Sequence, residues 1–264
     1  MNVDNLIKDW KQKKYCPIYL LEGEEGFFID QLLEYAENHI LSESEMEFNK
    51  SVFYGKDTDW VTIVNACRRY PMFAEKQLVV LKEAQMMNSL EKLEAYAEAP
   101  LSSTIFIIAY KGKTLDKRTR LYKSIAKNGE VHSFARIPDY KMHEWILGFV
   151  RSNGFGIESA AAGLLLDNIG NDPGRIATEL DKLAINLKDK KSITEEDIEK
   201  YVGISREYNI FELQTAIAGR NLPAALKIIN YFEHNPKAAP IPMALPALYT
   251  FISKVYGCFG MSSR

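Results

Sequence analysis

The chain has 264 residues, 47% of them hydrophobic and 26% charged, which excludes intrinsic disorder and is enough for more than one hydrophobic core. Its 33 basic and 35 acidic residues leave a net charge of −2, so the overall basicity of an autonomous nucleic-acid binder is excluded and any contact with DNA has to come from a local patch.

In chain order, residues 1–14 contain Asp4, Asp9 and Trp10 and lack the apolar core of a signal peptide. No later segment has a membrane-spanning length of apolar residues, so a soluble, untargeted protein is expected. From Pro17 onward short apolar runs alternate with helical patterns. Strands are predicted over 17–23, 52–54, 77–81, 104–110 and 130–134, with helices over 27–40, 59–69, 89–97 and 118–127 between them. Such alternation predicts an α/β fold with a largely parallel sheet, the scaffold type of nucleotide-binding domains. After Ile137-Pro138 the strand signals vanish. Helices are predicted over 139–151, 158–168 and 173–187, the last started by Asp172-Pro173. A short helix behind the Thr194-Glu195-Glu196-Asp197 capping pattern closes this module near Ser205. Further helices are expected over 208–219, 222–233 and from 240 on, which places boundaries near 137 and 206. The last apolar stripe, Leu245, Leu248, Tyr249, Ile252, Val255 and Tyr256, stops at Gly257 ahead of a polar tail, and three helices are too few for a closed bundle, so a shortened C-terminal region is expected.

The segment Arg69-Tyr70-Pro71-Met72-Phe73-Ala74 carries the sharpest signal. Asp59 caps a helix whose apolar residues Trp60, Ile63, Val64 and Cys67 recur at i, i+3, i+4 and i+7, and Pro71 stops it. Gln77-Leu78-Val79-Val80-Leu81 then reads as a buried strand. An exposed tip between two buried elements would be a rigid apolar plug for a pocket on a partner. The alternative is that Met72 and Phe73 fold back into the core, where Met often fills gaps.

A phosphate-binding loop would sit after the first strand, and its chemistry needs GxxxxGK followed by Ser or Thr. Counted from Gly23, those positions hold Phe28, Ile29 and Asp30. Glu24 and Glu25 add negative charge where a helix N-terminus would otherwise attract a triphosphate. The strand Val79-Val80-Leu81-Lys82-Glu83 has lysine at the first of the two acidic positions that would hold magnesium. Gly112-Lys113-Thr114 imitates the end of the motif, but its upstream glycine would be Ile107, inside a strand; a plain turn explains it better.

These features, with Tyr19-Leu20-Leu21-Glu22-Gly23, Asp59-Trp60, Tyr70-Pro71-Met72-Phe73-Ala74, the stretch Leu115-Asp116-Lys117-Arg118-Thr119-Arg120-Leu121-Tyr122-Lys123, Gly170-Asn171-Asp172 and Glu179-Leu180-Asp181-Lys182-Leu183, resemble the delta subunits of bacterial DNA polymerase III, the sliding-clamp loader members that lack ATPase motifs. The resemblance implies a degenerate AAA+ domain over 1–137, a small helical lid over 138–205 and a partial all-α collar over 206–264. It implies a clamp contact at Pro71, Met72 and Phe73, through which the subunit binds and opens the ring. It also implies no catalytic residue, cofactor or metal, with ATP used by partner subunits. The implied partners are the beta sliding clamp, the ATPase subunits and delta prime, and primer-template DNA; the implied setting is a cytoplasmic DNA-directed DNA polymerase (nucleotidyltransferase) holoenzyme. The rival readings are an active AAA+-type ATPase and a stand-alone DNA-binding module.

Lys111, Lys113, Lys117, Arg118, Arg120 and Lys123 form the densest basic stretch, open to two readings: phosphate contacts to DNA or a solvated helix face. Arg175 either faces a neighbouring subunit's nucleotide or is a surface arginine. His39, His132, His143 and His234 lack metal-ligand spacing and are expected to be structural. Glu195-Glu196-Asp197 is expected to cap a helix. Cys16, Cys67 and Cys258 form no CxxC pair, which fits a reducing cytoplasm.

Overall fold

A computed structural model describes residues 3–187, 191–202, 210–234 and 239–261. Its contacts divide the chain into two units, residues 1–142 and 143–264. The first contains α1 (Val3–Lys11), β1 (Ile18–Gly23), α2 (Gly26–His39), α3 (Glu43–Asn49), β2 (Lys50–Tyr54), α4 (Trp60–Cys67), β3 (Gln77–Lys82), α5 (Glu94–Ala97), β4 (Thr104–Lys111), α6 (Arg120–Asn128) and β5 (Glu130–Phe134).

All five strands pair in parallel, in the order β2-β3-β4-β1-β5. Side chains alternate across each strand, so every second residue reaches the same face. Ile18, Leu20, Val79, Leu81, Phe106 and Ile108 pack on one face with Ile63 and Cys67 of α4 and Leu121 and Ile125 of α6. Tyr19, Leu21, Leu78, Val80, Ile105 and Ile107 pack on the other with Leu6 and Trp10 of α1 and Ile29, Leu32 and Leu33 of α2. A parallel sheet covered on both faces requires the continuous apolar runs by which β1, β3 and β4 were recognised.

Every predicted strand of this unit is present, while two helices went unpredicted. α1 buries Val3, Leu6 and Trp10, one helical face. α3 opens with a capping box in which Ser42 donates from N and Oγ to Glu45 at 2.9 and 2.7 Å. The helix expected over 89–97 is instead a 3₁₀ turn over Leu90–Leu93 running into the single turn of α5. α6 begins two residues late because residues 116–119 form a turn, with the Thr119 N–H donating to the Asp116 carbonyl at 3.0 Å and Thr119 capping the helix.

The division between units falls inside α7 (Asp139–Ser152), which is followed by β6 (Gly156–Ile157), α8 (Ser159–Ile169), α9 (Pro173–Leu187), β7 (Ser192–Ile193), α10 (Glu195–Tyr201), α11 (Ile210–Ala218), α12 (Leu222–His234) and α13 (Ile241–Met261). The expectation of helix alone after Pro138 is corrected by β6 and β7, which pair in parallel; two-residue strands are too short to show a period. α11 packs on α12 and α13 around Leu213, Ala216, Ala225 and Ile228. α13 runs past Gly257, where the apolar stripe was expected to end, to Met261, with Pro246 inside it. Leu245, Tyr249, Ile252 and Tyr256 of α13 and Leu222, Leu226 and Ile229 of α12 are exposed. The expected boundary near 206, the helix start at 208 and residues 262–264 lie outside the described residues.

Candidate functional site

α4 is fixed at both ends. Asp59 accepts from the Thr62 N–H at 2.7 Å, and this bond holds its carboxyl below the usual carboxylate value. At the other end the orphaned carbonyls are gathered by the sheet. Buried Gln77 places Nε2 within 3.2 Å of both Ala66 O and Cys67 O and 2.7 Å from Thr104 Oγ1, which donates to Cys67 O at 2.8 Å. The helix stops at Cys67, two residues before the predicted end, and Pro71 lies in the loop beyond it, where proline commonly follows a helix terminus.

The loop that follows projects outward. Phe73 is 98% exposed and Met72 53%, so the alternative of a pair folded into the core is excluded by position. Phe73 has φ +54°, the left-handed region that a bulky side chain avoids. Beneath the loop, Asn49 at the end of α3 is 4% exposed and takes both backbone groups of Met72. The Met72 N–H donates to Asn49 Oδ1 at 2.7 Å, and Asn49 Nδ2 donates to Met72 O at 2.9 Å. Beside Phe73 a cleft of about 480 Å³ is floored by Tyr15, Ile40 and Leu41. Sequence reasoning missed Asn49, which no periodicity or motif singles out.

The phosphate-loop position is occupied by the chain's own hydrogen bonds. The Gly23 N–H donates to Lys113 O at 3.2 Å, the Gly112 N–H to Gly23 O at 2.8 Å and the Glu25 N–H to Phe134 O at 3.1 Å. The Glu25 carboxylate caps α2, accepting from the Phe27 N–H at 3.4 Å. Fully buried Glu22 accepts from the Leu115 N–H and Ser133 Oγ, each at 2.8 Å, and so pulls the loop after β4 onto the end of β1. Gly112-Lys113-Thr114 is therefore a turn bridged to Gly23. Lys82, at the acidic position, pairs with Glu37 at 2.6 Å.

The basic stretch is partly neutralised. Lys111 pairs with Asp30, Arg118 with Asp116 at 2.8 Å and Arg120 with Glu94 at 3.9 Å, whereas Lys113, Lys117 and Lys123 are exposed. Hydrogen bonds from Arg118 hold the Asp116 carboxyl down at about 2. Arg175 is exposed behind the Asp172 cap, to which its N–H donates at 3.0 Å. His39 stacks on Tyr35, His132 sits 2.9 Å from Glu130 and His143 2.9 Å from Ser159 O; the side chain of His234 lies outside the described residues. Asp197 accepts from Thr194 N and Oγ1 at 2.9 and 2.8 Å, a capping box. Among the described residues no His/Cys/Asp/Glu group has metal-holding geometry, and no helix is long and apolar enough to cross a membrane.

Burial and then the Glu130 hydrogen bond push the Cys16 thiol up to about 11, and burial pushes Cys67 up as well. Only the thiolate reacts, so Cys16 is expected to alkylate at pH 8 about a hundredfold more slowly in the native protein than after unfolding, with Cys67 slower still. Peptide mass spectrometry after timed iodoacetamide quenches checks this; equal native and unfolded rates would contradict the packing around both residues.

Five parallel strands in this order, helices on both faces and an apolar loop thrust out after α4 define an AAA+-like α/β module. Residues 19–134 match the family described as DNA polymerase III, delta subunit. The DNA polymerase III subunit delta of Bacillus subtilis is 23% identical over 231 residues, 84% of this chain and 67% of that protein. The probable DNA polymerase III subunit delta of Aquifex aeolicus is 22% identical over 228 residues, 81% of this chain and 63% of that protein. The solved Bacillus subtilis DNA clamp loader delta protein shares the fold, with a TM-score of 0.69 at 22% identity over 89% of this chain and 72% of that one. The chain is thus similar to DNA polymerase III delta subunits, with the family match confined to residues 19–134, and its matches span about two thirds of the length of those two curated proteins.

Proposed function

We propose that the chain acts as the delta-type subunit of a clamp loader, binding a ring-shaped sliding clamp through Met72 and Phe73 beside Pro71 and favouring the opened ring, without hydrolysing ATP itself. The observation that carries this reading is an almost fully exposed phenylalanine on a loop whose backbone is pinned from below. An apolar side chain held out in water is available to a pocket without reorganisation, the condition for a strong anchor. A subunit that binds the open ring better than the closed one shifts the balance by that difference in affinity and needs no fuel for it. The filled phosphate-loop position supports assigning ATP use to partner ATPase subunits, with delta prime completing the loader.

In this reading 1–137 is the AAA+-like domain, 138–205 a lid and 206–264 a partial collar, whose exposed faces on α12 and α13 suit packing against neighbouring subunits in a cytoplasmic polymerase holoenzyme. Lys113, Lys117 and Lys123, with Lys111, Arg118 and Arg120 locally balanced, are proposed to approach primer-template DNA once the loader assembles.

The test is binding of the cognate clamp to the wild type and to a Met72→Ala, Phe73→Ala double variant. Melting with and without magnesium ATP accompanies it. We expect binding that the double substitution removes, and a melting temperature that millimolar nucleotide leaves within about 1 °C. A rise of several degrees with nucleotide would favour an active ATPase instead.

A further inference from the structure

Residues 70–75 project as a loop of six residues, yet the bonds from Asn49 to Met72 are the only hydrogen bonds these residues make among the described residues. A short side-chain amide carries a donor and an acceptor spaced like those of a peptide group, so Asn49 pairs with the N–H and C=O of a single residue as an adjacent β-strand would. Its Nδ2 also lies 3.1 Å from Glu45 O, which ties the amide back to α3. The residue immediately after this clamp point is Phe73 at φ +54°. A bulky side chain keeps a left-handed backbone only where its surroundings over-determine it. Burial of Asn49 keeps water from competing for those bonds.

We infer that Asn49 is the positioning residue of the loop: by holding the Met72 backbone from inside the first unit it keeps Phe73 in the left-handed, outward conformation that binds the partner. This rests on the clamp-binding reading above. Asn49 itself touches no partner. Its loss leaves Met72 and Phe73 chemically intact but spreads the loop over many conformations, so that apparent affinity falls in proportion to the competent fraction.

The test compares clamp dissociation constants for the full chain and for Asn49→Ala, Asn49→Asp, Phe73→Ala and Ile125→Val, all confirmed folded by circular dichroism at low temperature. Amide exchange at Met72 is measured in parallel without the clamp. Ile125 is fully buried in α6 on the other side of the sheet from α2 and serves as a control for lost stability alone. Asn49→Asp is isosteric, keeps an acceptor for the Met72 N–H and loses the donor, so it guards against a variant that simply fails to fold. Asn49→Ala is expected to weaken clamp binding about tenfold and to accelerate Met72 exchange, Asn49→Asp to fall between it and the wild type, and Ile125→Val to bind within twofold. Clamp binding by Asn49→Ala within twofold of wild type, while Phe73→Ala weakens it about tenfold or more, overturns the role of Asn49 alone. Lost binding with unchanged Met72 exchange overturns positioning in favour of direct contact. If Phe73→Ala also binds normally, the clamp reading itself fails.

Discussion

Clamp binding by the Met72→Ala, Phe73→Ala double variant is expected to be weaker by a factor of roughly thirty to a thousand, with the melting temperature unchanged. Phe73 begins 98% exposed and can gain the full transfer free energy of a buried aromatic side chain, whereas Met72 begins 53% exposed and gains about half. At about 1.5 to 3 kcal/mol for a complete side chain, the two together are worth about 2 to 4.5 kcal/mol, and each 1.4 kcal/mol is a decade in affinity. Neither side chain belongs to the core clusters on the two faces of the sheet, which is why stability is spared. Calorimetric titration of the clamp into each protein separates the outcomes: equal affinities would place the contact elsewhere. Topology adds a reason for two independent surfaces. The loop enters β3 at the strand's N-terminal end, while a phosphate site would sit beyond the carboxyl end of β1, on the opposite edge of a parallel sheet.

The centre of the sheet was legible because β1, β3 and β4 are nearly uninterrupted apolar runs bounded by turn residues, a pattern local in sequence. The outward direction of Phe73 was not, since it depends on one backbone angle and on hydrogen bonds to Asn49, 23 residues upstream of Met72. The same distance problem hid the neutralisation of the basic stretch: Lys111 meets Asp30, 81 residues away, and Arg120 meets Glu94. Two omissions had local signals. The Ser42 to Glu45 capping box announces α3, but only the partly buried Met46 of that helix joins the core, so no apolar stripe reinforced it. Val3, Leu6 and Trp10 already had the spacing of a helical face.

Gly23→Ala is expected to lower the melting temperature by about 10 °C or more, although Gly23 is the residue from which a phosphate-loop motif would be counted. Gly23 has φ +137°, and a Cβ built there would lie 2.0 Å from Phe134 O and 2.8 Å from Phe134 N, both backbone atoms that cannot swing away. Backbone strain of about 1 to 3 kcal/mol adds to overpacking of similar size. Their sum is a large fraction of the roughly 5 to 15 kcal/mol that holds a domain together, and about 2 to 4 °C accompanies each kcal/mol at this chain length. Separation of β1 from Phe134 would also break the Glu25 N–H to Phe134 O bond and the bridge from Gly23 to Lys113. Gly112→Ala is the matched control: it too has positive φ, +80°, but a Cβ there meets nothing within 4 Å, so only strain remains and a loss of a few degrees is expected. Equal losses in the two variants would show that conformation alone makes Gly23 necessary. A much larger loss at Gly23 would show that the glycine serves the close approach of β5, a structural demand that persists whether or not any phosphate is bound beside it.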